Sequence, residues 1–449
     1  MYQNQRYLSK PTGFTMVETL VAIGVLGIFF AAFVMIFGQV LNNIGESRVR
    51  AVALSLAQSK MEIVRNLPYA AVGIVGGIPG GPLLPNELVT INNLPFTITT
   101  SVIYLDDPFD NLAPSDLVNT DYKRVRIEIT WEGAFPSRKP VTLVTNIAPK
   151  GVETIAGGGT LMIRVFNALG QPVQNATVNI DNTVVNPQIH LQTLADTNGL
   201  VVLPGAPACI TCYKISATKS GYSTDRTYSS MEVANPLQPY ITVIEGQVTP
   251  LSFAIDIIGK VIINSYGSRE SGFPPISNVA FTIRGSKIIG TTSSDDPVYK
   301  YQYSTNTGGG SVEITGLEWD TYTLDFTNSG HNLAGANPAQ PFALLPGANM
   351  TLPIVAVPKG ANTVLVVLQN SQSQLIGTGS AQLTNASISY EATKAAGATA
   401  AADMGQTFFG GLSPIIYQLK VIADGYQEAT TSVSVTGNVQ ENITLSPVQ

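Results

Sequence analysis

Gly13-Phe14-Thr15-Met16-Val17-Glu18-Thr19-Leu20 begins the part of the chain that decides its fold, an apolar run that extends to Phe37. No charged residue occurs between Glu18 and Glu46. A helix needs about 20 apolar residues to cross a bilayer core, and residues 19–38 supply that length. A carboxylate in such a segment costs about 2–3 kcal/mol on insertion scales, so residues of this kind usually serve a function. The sequence therefore predicts one membrane-spanning helix in which Glu18 has a role.

The residues before the run form a short polar leader. Residues 1–13 contain Arg6 and Lys10 but no acidic residue. A secretory signal peptide has its small-residue cleavage site after the apolar core, whereas here the small-to-large junction, Gly13–Phe14, precedes it. The alternative interpretation is an uncleaved single-span anchor that carries Glu18 by chance.

Leader, junction and acid spacing together resemble the class III signal of type IV prepilins and pseudopilins. In that family a prepilin peptidase cuts after the glycine and methylates the new amino group, and a glutamate is fifth in the mature chain. The resemblance covers residues 9–67 and implies processing at Gly13 and Phe14 and an assembly role for Glu18. Met35 stands where major pilins commonly have a helix-kinking proline, which favours a minor pilin or a pseudopilin.

The length and composition of the chain indicate that the residues after the apolar run form a large exported part. The 449 residues suggest about three domains, or four if the modules are small. Hydrophobic residues make up 44% and charged residues 12%, and the net charge is −6. No basic stripe is present, so nucleic acid is not expected as a direct partner.

A pilin-like domain is predicted for residues 14–149. The helix should continue to Leu67, because Val49, Val52, Leu56 and Ile63 follow a helical spacing and Pro68 disfavours helix at the residue before it. A Gly/Pro-rich loop should span residues 72–85. Strands are predicted at residues 96–105, 125–131 and 141–147, so residues 68–149 should form a small antiparallel sheet laid on the long helix.

An acidic loop lies between two of these strands. It contains Asp106, Asp107, Asp110, Asp116 and Asp121. Calcium binds six to eight oxygen ligands, and some pseudopilins bind it at this place. The spacing fits no EF-hand loop, however, and aspartates are common in solvated turns, so a plain acidic loop is the alternative. No other metal and no cofactor is expected.

After a linker around residues 149–159, the sequence repeats a strand-turn-strand pattern three times. Each copy has a glycine, then a tyrosine in an alternating strand, and a second glycine eight residues later; the three sets are Gly199, Tyr213 and Gly221; Gly310, Tyr322 and Gly330; and Gly405, Tyr417 and Gly425. Each copy also has a strand that we expect to begin at an asparagine, namely Asn175, Asn278 or Asn385.

Short alternating strands with Gly, Pro and Asn turns indicate β-sandwiches. We place three such modules at residues 160–249, 250–358 and 361–449. The pattern resembles the carboxypeptidase regulatory-like family of immunoglobulin-like modules. Short linkers should cross few contacts, so we expect an extended string of independently folding modules. The predicted fold is thus an α+β pilin-like N-terminal part followed by tandem all-β sandwich modules.

Few residues in these modules suggest chemistry. Cys209 and Cys212 could form a redox pair or half a zinc site, but their place between strands favours a small structural disulfide. His190 and His331 are the only histidines, and nucleophile-elbow, HExxH and phosphate-loop motifs are absent. The repeated tyrosines could line a sugar-binding face, but their identical placement favours core packing. An enzyme is therefore not expected.

These observations favour a structural protein. The first hypothesis is a minor pilin-like subunit of a type IV pilus-type filament, whose modules serve surface adhesion or act as spacers. The alternative is a pseudopilin of a type II secretion or DNA-uptake apparatus. In both cases the implied partners are other pilin subunits and the prepilin peptidase, with an external ligand added for an adhesin. The chain should cross the cytoplasmic membrane once before assembly and reach the cell surface afterwards.

Overall fold

The computed structural model describes residues 16–106, 121–132, 139–149 and 158–448. The chain divides into two compact units. The first consists of residues 1–157 with 204–206, and the second of residues 158–203 and 207–449. One N-terminal helix is followed by many strands in several sheets, as the sequence predicted.

The helix α1 spans Met16–Arg65. It contains no proline, and Arg65 in its last turn complements the negative end of the helix dipole. It ends two residues before the predicted Leu67. The N–H of Asn66 still reaches the carbonyls of Glu62 and Ile63, at 3.1 and 3.2 Å, in a final tightened turn.

A four-stranded antiparallel sheet follows in the order β1-β2-β3-β4, formed by β1 (Asn86–Ile91), β2 (Leu94–Leu105), β3 (Tyr122–Trp131) and β4 (Val141–Ile147). The first of these strands was not predicted. It pairs with β2 across Asn92 and Asn93, which have φ angles of 51° and 61°. Two consecutive left-handed residues are typical of the tight type I′ hairpin turn, and asparagine adopts this conformation readily.

The second half of α1 contacts β3 and β4. Its buried residues are Val49, Ala53, Ala57, Met61 and Val64. The predicted apolar stripe is confirmed in part: Val49 is buried and Val52 and Leu56 are half-buried, but Ile63 is 50% exposed and the two alanines were not predicted. The two alanines explain the difference, because a small side chain lets the helix backbone approach the sheet more closely than valine or leucine would.

Three groups of strands follow, which we call modules 1, 2 and 3, and they make up the second unit except for the last three residues of β8. Module 1 contains β5 (Gly159–Phe166), β6 (Thr177–Asn182), β7 (Ile189–Leu194), β8 (Leu200–Ala206), β9 (Cys209–Thr218), β10 (Asp225–Arg226), β11 (Asn235–Pro236), β12 (Ile241–Val243) and β13 (Val248–Ala254). One of its sheets has the order β10-β9-β6-β7 with β12 beside β9, and the other has the order β13-β5-β8.

Modules 2 and 3 each contain a pair of sheets. Module 2 has the orders β19-β14-β23-β21 and β18-β15-β20-β22, with strands β14 (Gly259–Tyr266), β15 (Ala280–Gly285), β16 (Ile288–Thr291), β17 (Pro297–Tyr299), β18 (Gln302–Asn306), β19 (Ser311–Leu317), β20 (Asp320–Asp325), β21 (His331–Ala336), β22 (Phe342–Leu344) and β23 (Asn349–Pro358). Module 3 has the orders β27-β24-β30 and β26-β25-β28-β29, with strands β24 (Thr363–Asn370), β25 (Ser380–Asn385), β26 (Tyr390–Ala395), β27 (Gln406–Phe409), β28 (Ile416–Ile422), β29 (Ala429–Ser434) and β30 (Asn438–Leu445).

The expected module boundary at residues 249 and 250 falls inside β13. That strand pairs with β5 through Ala254, so the ladder hydrogen bonds of module 1 extend past the boundary. The expected strand start at Asn385 was also wrong. Asn175 and Asn278 precede β6 and β15 with φ angles of 56° and 57°, whereas Asn385 ends β25 and caps the 3₁₀ turn Ala386–Ile388.

The repeated tyrosines lie in the cores, as predicted. Tyr213, Tyr322 and Tyr417 are at most 1% exposed. The hydroxyls of Tyr213 and Tyr322 donate to the carbonyls of Pro207 and Glu318, at 2.8 and 2.9 Å. The Tyr417 hydroxyl accepts from the N–H of Ser413 at 3.1 Å. Each ring therefore fills a core while its polar end satisfies the backbone a few residues upstream, as in the tyrosine corner of immunoglobulin-like sandwiches.

Candidate functional site

The first half of α1 is apolar on every side and exposed. Ile28, Phe29 and Phe30 are 74%, 74% and 66% exposed. The other large apolar side chains as far as Ile44 are each at least 46% exposed. Leaving one such side chain in water forgoes about 1.5–3 kcal/mol. A helix without a polar face suits a bilayer or a bundle of similar helices, not the surface of a membrane.

Length and composition make α1 the only membrane-span candidate among the described residues. The mean hydropathy of its most apolar window is 2.3, and none of that window is buried. The backbone of Glu18 belongs to α1. Gly13 and Phe14 lie outside the described residues, so the processing prediction stays a prediction.

The second half of α1 is held by polar contacts as well as by its apolar stripe. The Lys60 ammonium lies 2.6 Å from the Glu87 carboxylate on β1, and Arg50 donates to the carbonyl of Lys139 at 3.4 Å. The two halves of α1 therefore differ: the first half is apolar and exposed, and the second half contacts a sheet.

A buried lysine that no sequence motif marks joins β3 to the chain that leaves α1. Lys123 is 2% exposed and donates to the carbonyls of Tyr69 and Val72, at 2.9 and 2.7 Å. Its ammonium lies 4.7 and 5.2 Å from the ring centroids of Tyr69 and Tyr104. Burial lowers the pKa of Lys123 to about 8. The alternating pattern of β3 is the one signal that could have found it, since it places Lys123 among the inward positions.

The acidic loop stays a hypothesis. Asp107, Asp110 and Asp116 lie outside the described residues, and Asp106 and Asp121 flank them. The described residues contain no group of three or more His, Cys, Asp or Glu side chains that could hold a metal ion.

The structure joins the sulfurs of Cys209 and Cys212 within β9. Thr211 between them has a φ angle of 48°, and the side-chain amide of Asn182 donates to the Cys212 sulfur at 3.2 Å. This strand position offers no helix N-terminus to activate a thiolate. The histidines lie elsewhere: His190 contacts Asp181 at 2.9 Å on the surface, and His331 is the first residue of β21.

Modules 1 and 2 share a small sheet and an ionic cluster. β11 of module 1 pairs with β16 of module 2, so main-chain hydrogen bonds cross the junction. The Lys300 ammonium lies 2.9 Å from Glu318 and 3.8 Å from Asp225 of module 1. Burial raises the pKa of Asp225, and Lys300 opposes that effect. A cavity of about 460 Å³ adjoins the cluster and includes Trp319 in its wall.

Modules 2 and 3 are joined by buried side chains. The Arg269 guanidinium binds the carboxylate of Asp403, with an Nε–Oδ2 distance of 2.9 Å, and also donates to the carbonyl of Gln406. The Gln406 side chain is 1% exposed and bonds both the N–H and the carbonyl of Ala336, at 3.1 and 2.5 Å. A Cβ atom at Gly335 would lie 2.4 Å from the Cβ of Asp403, so only glycine allows this approach. The expectation of few contacts between modules was therefore wrong.

A polar cavity of about 310 Å³ also lies between modules 2 and 3. Gln340, Gln440, Asn332 and Asn438 contribute amides to its lining. Asn332 and Asn438 bond each other across the junction at 3.2 Å, and Gln440 donates to the carbonyl of Gln340 at 3.1 Å. The side chains of Asn332, Asn438 and Gln440 thus bond across the junction, whereas the side-chain oxygen of Gln340 accepts from the N–H of Leu324 within module 2.

No protein-family model and no curated protein sequence matches the chain. Among solved structures it is similar to the Bacillus anthracis TIE protein, at 14% identity over 81% of this chain and 73% of that one, with a TM-score of 0.19. The shaft pilin SpaA from Lactobacillus rhamnosus GG is 15% identical over 43% and 98%, with a TM-score of 0.16. A streptococcal ancillary pilin is 9% identical over 65% and 99%, with a TM-score of 0.18. TM-scores this low support no inference about function.

Proposed function

We propose that this chain is a minor pilin-like structural subunit of a type IV pilus-type filament. The observation that carries the proposal is the division of α1 into an exposed apolar half and a half that contacts a sheet. The apolar half would lie in the cytoplasmic membrane before assembly and in a bundle of like helices afterwards. The second half and β1–β4 would then form the pilin-like domain that joins the bundle to modules 1–3.

The proposal gives Gly13, Phe14 and Glu18 their roles. A prepilin peptidase would cut after Gly13 and methylate the amino group of Phe14. In a helix bundle that amino group would enter a medium of low dielectric constant, where an unpaired charge is costly. The carboxylate of Glu18 on a neighbouring subunit would neutralise it.

Two experiments test the assembly role. Mass spectrometry of the purified protein should find a methylated N-terminal peptide that begins at Phe14, and a peptide that begins at Met1 would contradict the proposal. Glu18→Ala should leave processing and insertion intact but remove the subunit from sheared filaments. Glu62→Ala, an exposed acid in the second half of α1, is the matched control and should assemble normally.

A pseudopilin of a secretion or DNA-uptake apparatus is the second candidate, because the same helix would serve both assemblies. The modules favour a surface filament, since three sandwiches on every subunit would collide along a closely packed shaft and suit a position at the tip. Labelling cells with an antibody to modules 1–3 separates the two. Surface filaments labelled at their ends favour the first candidate, and purely periplasmic label favours the second.

We assign the modules a role in contact with an external surface, with a spacer role as the alternative. A chain truncated after Ile258 keeps all of β13 and so preserves the β13-β5-β8 and β10-β9-β6-β7 sheets of module 1, although β11 loses its partner β16. If modules 2 and 3 bind a surface, cells with this truncation should attach less while filament number is unchanged. Unchanged attachment would leave the spacer role.

A further inference from the structure

The first and last strands of each module are parallel neighbours. In module 1, residues 160–166 of β5 pair with residues 248–254 of β13. In module 2, residues 260–266 of β14 pair with residues 349–355 of β23. In module 3, residues 363–370 of β24 pair with residues 438–445 of β30. The other strand pairs within the three modules whose residue pairing is described are antiparallel, apart from isolated bridges.

The connections between modules are short. Residues 255–258 link β13 to β14, and residues 359–362 link β23 to β24. A force applied along the chain therefore acts on each module at two points, the start of its first strand and the end of its last strand. Because these two strands are parallel, the two points lie at opposite ends of the ladder that joins them. The force then slides one strand along the other.

Sliding and peeling load a ladder differently. When parallel strands slide, all the hydrogen bonds between them carry the load together and must break together. When strands are peeled from one end, the bonds break one after another. A single bond contributes only about 0.5–1.5 kcal/mol net, so a ladder resists force well only when its bonds act in concert. Forced unfolding depends on the barrier to unfolding, which this geometry raises without any change in equilibrium stability.

In module 3 one strand of the ladder, β24, is buried on both faces, whereas β30 exposes alternate residues. Residues 363–368 of β24 are all buried, with exposures between 0 and 6%. β27 pairs with β24 on the edge away from β30, and β21 of module 2 also contacts β24. Water that would compete for the strained hydrogen bonds is thereby kept from the middle of the strand.

We propose that modules 1–3 are tension-bearing connectors, each held by a parallel ladder that is loaded in shear. Their mechanical role would be to keep the chain folded while its N-terminal end and a partner that holds the far end are pulled apart. The proposal concerns residues 158–448 alone and stands whether or not α1 assembles into a filament.

Single-molecule force spectroscopy on the detergent-solubilised full chain tests this in module 3. The double variant Ala361→Cys with Val448→Cys attaches the handles at opposite ends of the β24–β30 ladder. The matched control, Ala361→Cys with Thr436→Cys, attaches both handles at the same end, since Thr363 pairs with Asn438. All three positions are exposed, and the native cysteines are bonded to each other and unavailable to thiol handles.

At equal loading rate, the opposite-end handles should require a several-fold higher unfolding force than the same-end handles. Circular dichroism before pulling should show that both variants have the β-sheet signal of the parent chain. Equal forces in the two geometries, or a lower force for the opposite-end handles, would overturn the proposal.

Discussion

The two junctions between modules are built by different means. Modules 1 and 2 share main-chain pairing between β11 and β16, and the charges beside it form a cluster in which Lys287 and Lys300 both contact Glu318. Modules 2 and 3 share no strand pairing. Their junction is held by side chains: Arg269 is the cationic partner of the Asp403 carboxylate, and Gln406 bonds the backbone of Ala336, beside the amide bonds at the polar cavity. A junction with redundant partners should tolerate the loss of one side chain, and a junction with single partners should not.

Arg269→Met should have the largest effect. It leaves the Asp403 carboxylate, which is 5% exposed, without its cationic partner. Removing one member of a buried ion pair costs about 3–5 kcal/mol, and the partial exposure of Arg269 places the expected loss near the lower end. Chemical denaturation measures it. Lys260→Met, which breaks the exposed pair with Glu313 in the same module, should cost less than about 1 kcal/mol. Equal losses in the two variants would contradict the comparison.

Gln406→Ala should come second. The variant leaves the N–H and the carbonyl of Ala336 without their partners inside a closed junction. Each unsatisfied buried group costs about 1–3 kcal/mol, and relaxation should keep the total to about 2–3 kcal/mol. Gln418→Ala removes an exposed amide that bonds Ser432 and is the control. Differential scanning calorimetry should show the loss in the transition that modules 2 and 3 share, and a loss confined to module 3 would count against a shared junction.

Lys300→Met should have a smaller effect at the first junction. Glu318 keeps Lys287 at 3.3 Å, so the buried carboxylate is not left alone. We expect a loss of about 1–2 kcal/mol, roughly that of one hydrogen bond to a charged group. The double variant Lys287→Met with Lys300→Met should lose more than the sum of the two single variants. Simple additivity would show that the two lysines do not substitute for each other.

The smallest effect should be a dependence on pH at the same junction. Burial raises the pKa of Asp225 above its ordinary value, so the folded chain retains that proton at a pH where the unfolded chain has lost it. The stabilisation is complete below the unfolded pKa and is lost as pH rises through the folded pKa. The free energy of unfolding of the parent chain, relative to Asp225→Asn, should therefore fall as pH rises from about 4 towards neutral. A difference that grows with pH would reverse the sign.

The sequence predicted those features that depend on local patterns. The apolar run predicted α1, the alternation of polar and apolar residues predicted β2–β4, and the repeated tyrosines predicted three buried anchors. It missed β1 because its Asn92–Asn93 turn was not recognised. It found Val49, which is buried, but it also named the exposed Ile63 and left out the buried Ala53 and Ala57.

The junctions could not be predicted. Arg269 and Asp403 are separated by 134 residues, and Gln406 and Ala336 by 70. Nothing local distinguishes these side chains from ordinary surface residues, and the tight approach of Gly335 to Asp403 depends on how two complete modules meet. Glycine and charged residues near turns are common, so their roles emerge only from the assembled structure.

The burial of β24 on both faces has a consequence for how the chain can be divided. Leu365 and Val367 are 6% and 2% exposed, on the opposite face from the core residues Val364, Val366 and Leu368. Module 3 released by a protease, or expressed alone, would present these side chains to water along a strand, a surface that favours aggregation. We therefore expect modules 2 and 3 to stay in solution more readily as a pair than module 3 does alone.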